Sequence, residues 1–185
     1  MTAGSVSVPS RAAARWPIFV GLAVVVLVAD QLTKAWLVSF LAPGQLTEVV
    51  GTYVRLVHMQ NTGALFGLFR DQAILFAFVS IGVVGVIIWF HGNAGRNTLL
   101  SIALGLLLGG ALGNMADRFR YGYVVDFVDL GIGDLRWYTF NVADAAISGA
   151  ILLLLLSTFL PEGKRAGERS PRTAAVHGPQ DHADA

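Results

Sequence analysis

Along most of this chain the apolar residues come in long blocks instead of alternating with polar ones. The blocks run from Trp16 to Leu41, Ala73 to Phe90, Thr98 to Met115 and Asn141 to Leu160. Each supplies roughly the 17–25 residues that cross a hydrocarbon core of about 30 Å at about 1.5 Å per residue. They predict four membrane-spanning helices. Shorter apolar stretches, such as Val49 to Val57, cannot span. Between the blocks the pattern changes. Thr52 to Gln60 alternates loosely between apolar and polar residues, as a half-buried strand does. Tyr123 to Leu130 is rich in Val and Phe, and turn-prone Gly131, Gly133 and Asp134 follow it.

Basic residues orient the spans. Arg11 and Arg15 precede the first, Arg96 lies between the second and third, and Lys164, Arg165, Arg169 and Arg172 follow the fourth. An even number of spans puts all of these on one side, which the positive-inside bias makes the cytoplasm. The opposite side receives Arg55, Arg70, Arg118, Arg120 and Arg136. The expectation is an all-α membrane protein of four transmembrane helices, with a small extracytoplasmic β-rich segment over the outer mouth. Residues 1–15 form a cytoplasmic N-terminal segment, 16–160 the membrane-embedded domain and 161–185 a cytoplasmic tail, disordered by its Pro, Gly, Ala and charge content. The first block is read as an uncleaved span. Only Ala29 resembles a cleavage position, bulky Leu27 precedes it, and the apolar pattern resumes at Ala35.

Composition fits this picture and removes alternatives. Of 185 residues 55% are hydrophobic and 14% charged, against about 25% charged in soluble domains. A net charge of +1 offers no basic face for nucleic acid. Cysteine is absent, which removes disulfides, thiolate metal sites and a cysteine nucleophile.

Polar residues inside the spans then need a reason, because an ionised side chain at mid-membrane costs at least about 2.5–3.5 kcal/mol. Asp30 and Lys34 lie four apart on one face of the first span, in the order that favours an ion pair. The pair could serve helix stability or the site itself. In the third span Gly105, Gly109 and Gly113 form a smooth ridge for close helix packing. Gly110, Asn114 and Arg118 repeat every four residues one face over, with Asp117 beside them. Asn141 is placed to cap the fourth helix, with Asp144 in its first turn. Asp126 stands between Val125 and Phe127, where a carboxylate needs a partner. Topology brings the end of span three and the start of span four to the same side, with Asp126 on the connection.

Two close carboxylates share one proton, so one can act as general base on water while the other donates to a peptide carbonyl. That is aspartic-protease chemistry, and neither a metal nor another cofactor is expected. The histidines, His58, His91, His177 and His182, form no ligand pair with metal-site spacing, and no serine stands in a nucleophile elbow. Two other readings remain open on these features: an ion-coupled transporter using Asp30 or Asp144, and a non-catalytic four-helix scaffold.

Five short motifs carry a resemblance. They are Asp30-Gln31-Leu32-Thr33-Lys34, Asn61-Thr62-Gly63-Ala64-Leu65-Phe66, Gly109 through Asn114 to Asp117-Arg118, Val125-Asp126-Phe127, and Phe140-Asn141-Val142-Ala143-Asp144. In this order on four spans, the chain from Trp16 to Leu160 resembles the bacterial lipoprotein signal peptidases, or signal peptidases II. The resemblance implies an intramembrane aspartic endopeptidase in the bacterial cytoplasmic membrane. Its substrates are diacylglyceryl-modified prolipoproteins, cut just before the lipidated cysteine near the outer leaflet. It further implies Asp126 and Asp144 as the catalytic pair. Asn114, Arg118, Asn141 and Asn61 would bind substrate, and Asp30, Lys34 and Asp117 would support the site. Membrane lipids surround the enzyme, globomycin-type cyclic peptides are its expected inhibitors, and a monomer is expected.

Overall fold

A computed structural model describes residues 15–63, 72–93 and 97–159. The elements follow in the order α1 (Trp16–Val38), β1 (Leu46–Val50), β2 (Val54–Asn61), α2 (Ala73–Asn93), α3 (Thr98–Tyr121), β3 (Val124–Ile132), β4 (Leu135–Arg136) and α4 (Val142–Phe159). All four helices are long and apolar enough to cross a membrane. Their ends have local causes. Pro17 opens α1, where its missing N–H costs nothing. The Asn97 side chain caps α3 at the N–H of Leu100, and Gly122 closes that helix at a φ of 76°, a left-handed position suited to glycine. Helix α3 runs past the expected Met115 to Tyr121, so Asp117 and Arg118 lie on it.

Helix α3 is the central one, because its glycine rows allow close approach. A Cβ on Gly105 would stand 2.8 Å from the Phe19 carbonyl oxygen, and one on Gly109 2.7 Å from that of Ala23, both on α1. On the neighbouring face, a Cβ on Gly110 would stand 2.5 Å from the Ala143 carbonyl oxygen of α4. Phe19, Ala23, Ile87, Leu104 and Leu108 fill the core between α1, α2 and α3. The outer faces expose Val24 and Leu32 on α1, Val86 and Trp89 on α2, and Leu152 and Leu155 on α4, as helices facing lipid tails do.

The four strands make one antiparallel sheet in the order β1-β2-β3-β4. The expected strands at 52–60 and 123–130 correspond to β2 and β3; β1 and β4 lie outside those expectations. Val125 and Phe127 of β3 point down onto Leu37 and Leu41 at the end of α1. Alternation then sends Val124 and Asp126 to the other face. A register irregularity lies between Leu56 and Met59: Leu56 pairs with Val128, but Met59 pairs with Asp126 and Asn61 with Val124. The extra residue re-aims the end of β2. Asn61 thereby becomes a diagonal neighbour of Asp126. Asp129 ties the sheet together, taking hydrogen bonds from Arg55 Nε at 2.7 Å and Arg136 Nε at 3.0 Å, while Arg136 Nη1 donates to the Thr52 carbonyl at 2.6 Å.

Candidate active site

The polar residues singled out in the sequence meet where the sheet lies over the C-terminal end of α3 and the start of α4. Asn141 is the junction. Its side-chain oxygen accepts the Asp144 N–H at 2.9 Å, and its own backbone N–H donates to Asp144 Oδ2 at 3.2 Å. This reciprocal pair is a capping box, and it fixes the Asp144 rotamer. The Asn141 amide nitrogen donates to Asp126 Oδ1 at 2.7 Å and to Asn114 Oδ1 at 3.1 Å. One fully buried asparagine therefore holds both acids. Asn114 completes the bracket, donating from Nδ2 to Asp144 Oδ1 at 2.8 Å. On the far side Asn61 Nδ2 donates to Asp126 Oδ2 at 3.0 Å.

Below this bracket lies an ion cluster. Lys34 Nζ stands 2.7 Å from Asp30 Oδ2, 2.8 Å from Asp117 Oδ2 and 3.1 Å from Asn114 Oδ1. Because Lys only donates, its contact also fixes which way the Asn114 amide faces. The remaining capacity of the two acids is used on neighbouring elements. Asp30 Oδ1 accepts the Ala143 N–H at the start of α4, at 2.9 Å, where the helix dipole favours negative charge. Asp117 accepts the Val125 N–H of β3 at 3.1 Å and Gln31 Nε2 at 2.9 Å. Asp30, Lys34 and Asp117 thus bind α1, α3, α4 and β3 together directly beneath the two acids.

Arg118 extends from α3 toward the chain after β2, donating to the Gly63 carbonyl at 3.4 Å and to the Asn114 carbonyl at 3.3 Å. Its buried Nε has no partner among the described residues. Asp126 and Asp144 both line a cavity of about 460 Å³, together with Asn61, Asn114 and Arg118. Apolar side chains such as Phe76 and Val83 form the other wall. A second cavity of about 530 Å³ reaches Asp144 from the side of Arg136 and Trp137.

Burial lifts the Asp126 carboxyl from an ordinary 3.8 to about 7; the Asp144 charge pushes the same way, while the hydrogen bond from Asn61, the Lys34 charge and the bond from Asn141 oppose it. Asp144 sits in the first turn of α4, at the start of the fourth span. Near neutral pH two acids coupled in this way can share one proton.

The structure brings together every residue named from the sequence: Asp126 and Asp144, Asn61, Asn114, Arg118 and Asn141, and Asp30, Lys34 and Asp117. Ala64, Leu65 and Phe66 of the second motif lie outside the described residues. His58 lies in β2 and His91 in the last turn of α2, both buried in packing away from the acids. His58 Nδ1 is 2.8 Å from the Leu41 carbonyl oxygen, and His91 stacks on Phe19 at 4.0 Å. Two further residues join the site, Gln31, which sits in the first motif, and Tyr138. The Tyr138 hydroxyl accepts from Asn61 Nδ2 at 2.9 Å. An aromatic residue on the short connection into the fourth apolar block gives no sign of such a contact.

Known proteins are similar to this chain in sequence and fold. The family described as Signal peptidase (SPase) II matches residues 22–160. A lipoprotein signal peptidase of Moorella thermoacetica is 38% identical over 151 residues, covering 81% of this chain and 98% of that protein. One of Pelotomaculum thermopropionicum is 44% identical over 138 residues, covering 74% of this chain and 88% of that protein. A bacterial membrane enzyme solved by the in meso method at 2.3 Å superposes with a TM-score of 0.75 at 26% identity, covering 86% of this chain and 98% of its own. A second such structure, at 1.9 Å, gives 0.72 at 27% identity over 82% and 98%. A four-span bundle, a sheet over its mouth and two bracketed acids coincide with matches along nearly the whole membrane region, and the chain belongs to the signal peptidase II family.

Proposed function

We propose that Asp126 and Asp144 are the working pair with which this membrane peptidase removes signal peptides from diacylglyceryl-modified prolipoproteins. The observation that carries the assignment is the Asn141 bridge, which holds both carboxylates at the wall of one cavity. The Asp144 carboxylate takes a proton from water, and the oxygen attacks the scissile carbonyl carbon. Asp126 gives its proton to the carbonyl oxygen. Collapse of the resulting gem-diol breaks the C–N bond as Asp144 passes its acquired proton to the departing amine of the lipidated cysteine and Asp126 takes one back from a diol hydroxyl. Asn114, Arg118, Asn141 and Asn61 position the peptide, with the open Arg118 Nε–H as one donor to it. Asp30, Lys34 and Asp117 act by holding the frame. The apolar wall of the cavity suits an acylated, signal-sequence ligand, and a globomycin-type cyclic peptide would compete for the same space.

The site belongs near the outer leaflet, with residues 1–15 and 161–185 in the cytoplasm and the enzyme working as a monomer. The loop charges support this orientation. Asp144 lies at the start of α4 and Asp126 on the sheet, whereas a coupled transporter keeps its site near the midplane between broken helices. A bare scaffold leaves the bracketed acid pair without a use.

Purified enzyme incubated with a diacylglyceryl-modified prolipoprotein should produce a size shift on a gel. Asp126→Asn and Asp144→Asn should each lower the rate by at least a thousandfold while keeping the parental melting temperature. Full activity in either variant would remove that residue from the chemistry. Activity should also fall as pH rises through about 7, where Asp126 loses its proton. A rate still constant well above that pH would rule out Asp126 as the acid.

A further inference from the structure

Tyr138 lies between β4 and α4, outside every motif that carries the family resemblance. Its hydroxyl oxygen is 2.9 Å from Asn61 Nδ2, the nitrogen that also donates to Asp126 Oδ2 at 3.0 Å. The amide has two hydrogens, so it can serve both oxygens only in one orientation. The other end of that amide is held as well, because Asn61 Oδ1 accepts the Gly63 N–H at 3.1 Å. Tyr138 also lines both cavities, the one between the acids and the one opening toward Trp137, sharing this position with Asp144 and Ser148. Its own backbone is anchored on both sides, by the Trp137 N–H to the Leu130 carbonyl at 2.7 Å and by the Phe140 N–H to the Val128 carbonyl at 3.1 Å.

We propose that Tyr138 is a positioning residue of the peptidase, its hydroxyl fixing the Asn61 amide so that this amide holds Asp126 in its working orientation. The inference rests on Asp126 being one of the two reacting acids. The phenol stays protonated as it does so: burial, then the charges of Asp126 and Asp144, raise its pKa. Because Asn61 donates to Asp126, it favours the ionised carboxylate. Loosening Asn61 should therefore leave Asp126 protonated to higher pH. The charged and titratable groups around Asp126 are Asp144 on α4, Lys34 on α1, Arg118 on α3 and Tyr138 itself. Tyr138→Phe leaves the other three in place.

The test is a pH–rate profile of Tyr138→Phe beside the parent and Asp126→Asn, using the same lipidated prolipoprotein. We expect the pH-independent kcat to fall about three- to tenfold, KM to stay within about twofold, and the alkaline limb to move to higher pH. A parental profile would overturn the proposal. That is the result expected if the ring only fills space, and a lower kcat with an unmoved alkaline limb would overturn the proposal as well. An active Asp126→Asn variant would instead sink the acid-pair assignment on which the proposal stands.

Discussion

Lys34 stands at the centre of a buried ion cluster. Its side chain is 5% exposed and lies between two carboxylates that are themselves 0% and 1% exposed. One cation shared by two anions leaves a negative surplus. The Ala143 and Val125 backbone N–H groups and the Gln31 amide accommodate it. Removing one partner of a buried ion pair typically costs about 3–5 kcal/mol, because the remaining charges are left uncompensated. Lys34→Met should therefore lower stability in detergent by about that amount, read as a drop in melting temperature. Neutralising one acid as well, in Lys34→Met/Asp117→Asn, should recover part of the loss. A single variant as stable as the parent would show that the cluster does not hold the frame. The sequence revealed the i,i+4 spacing of Asp30 and Lys34 but left open whether the pair served the helix or the site. Together with Asp117 the pair binds four elements, and that depends on contacts between positions more than 80 apart.

At the scale of elements, function depends on how close α3 and α4 come. Gly110 permits the contact: an added Cβ would meet the Ala143 carbonyl oxygen at 2.5 Å and Ile147 Cγ1 at 2.7 Å. The first of these is backbone, so the helix itself must retreat, and Asp144 is the next residue along. Misplacing a reacting group by about 1 Å can cost about a hundredfold in rate. Gly110→Ala should slow cleavage at least tenfold, whereas Gly85→Ala, with nothing within 4 Å of the new Cβ, should leave the rate unchanged. Equal rates for the two would mean the helix contact yields freely. The helices were legible from their apolar blocks, and the small-residue rows on α3 from their four-residue spacing. The sheet was only half legible. All five residues of β1 are exposed, so it has no buried face to impose alternation, and β4 has just two residues. The register irregularity that carries Asn61 to Asp126 depends on pairing between distant strands. Asn141 could be recognised as a helix cap, but its grip on Asp126 could not, because that needs β3 placed above α4.

For the whole molecule, one question governs access: on which side of the membrane the sheet lies. The four spans leave the sheet and both acids at one end of the bundle, and the end of α2 and the start of α3 at the other. A prolipoprotein whose modified cysteine lies at the outer surface can reach Asp126 and Asp144 only if the sheet end faces outward. The chain contains no cysteine, so single cysteines can report this without background. Glu48 on β1 and Asp134 in the β3–β4 turn are exposed on the sheet side, and Asn93 at the end of α2 is exposed on the other. In intact cells an impermeant thiol reagent should label Glu48→Cys and Asp134→Cys and spare Asn93→Cys until the membrane is opened. The opposite pattern would put the acids at the cytoplasmic face. The substrate's scissile bond would then lie a full membrane thickness from the pair, and the access route through the outer leaflet would have to be abandoned even if both acids proved essential.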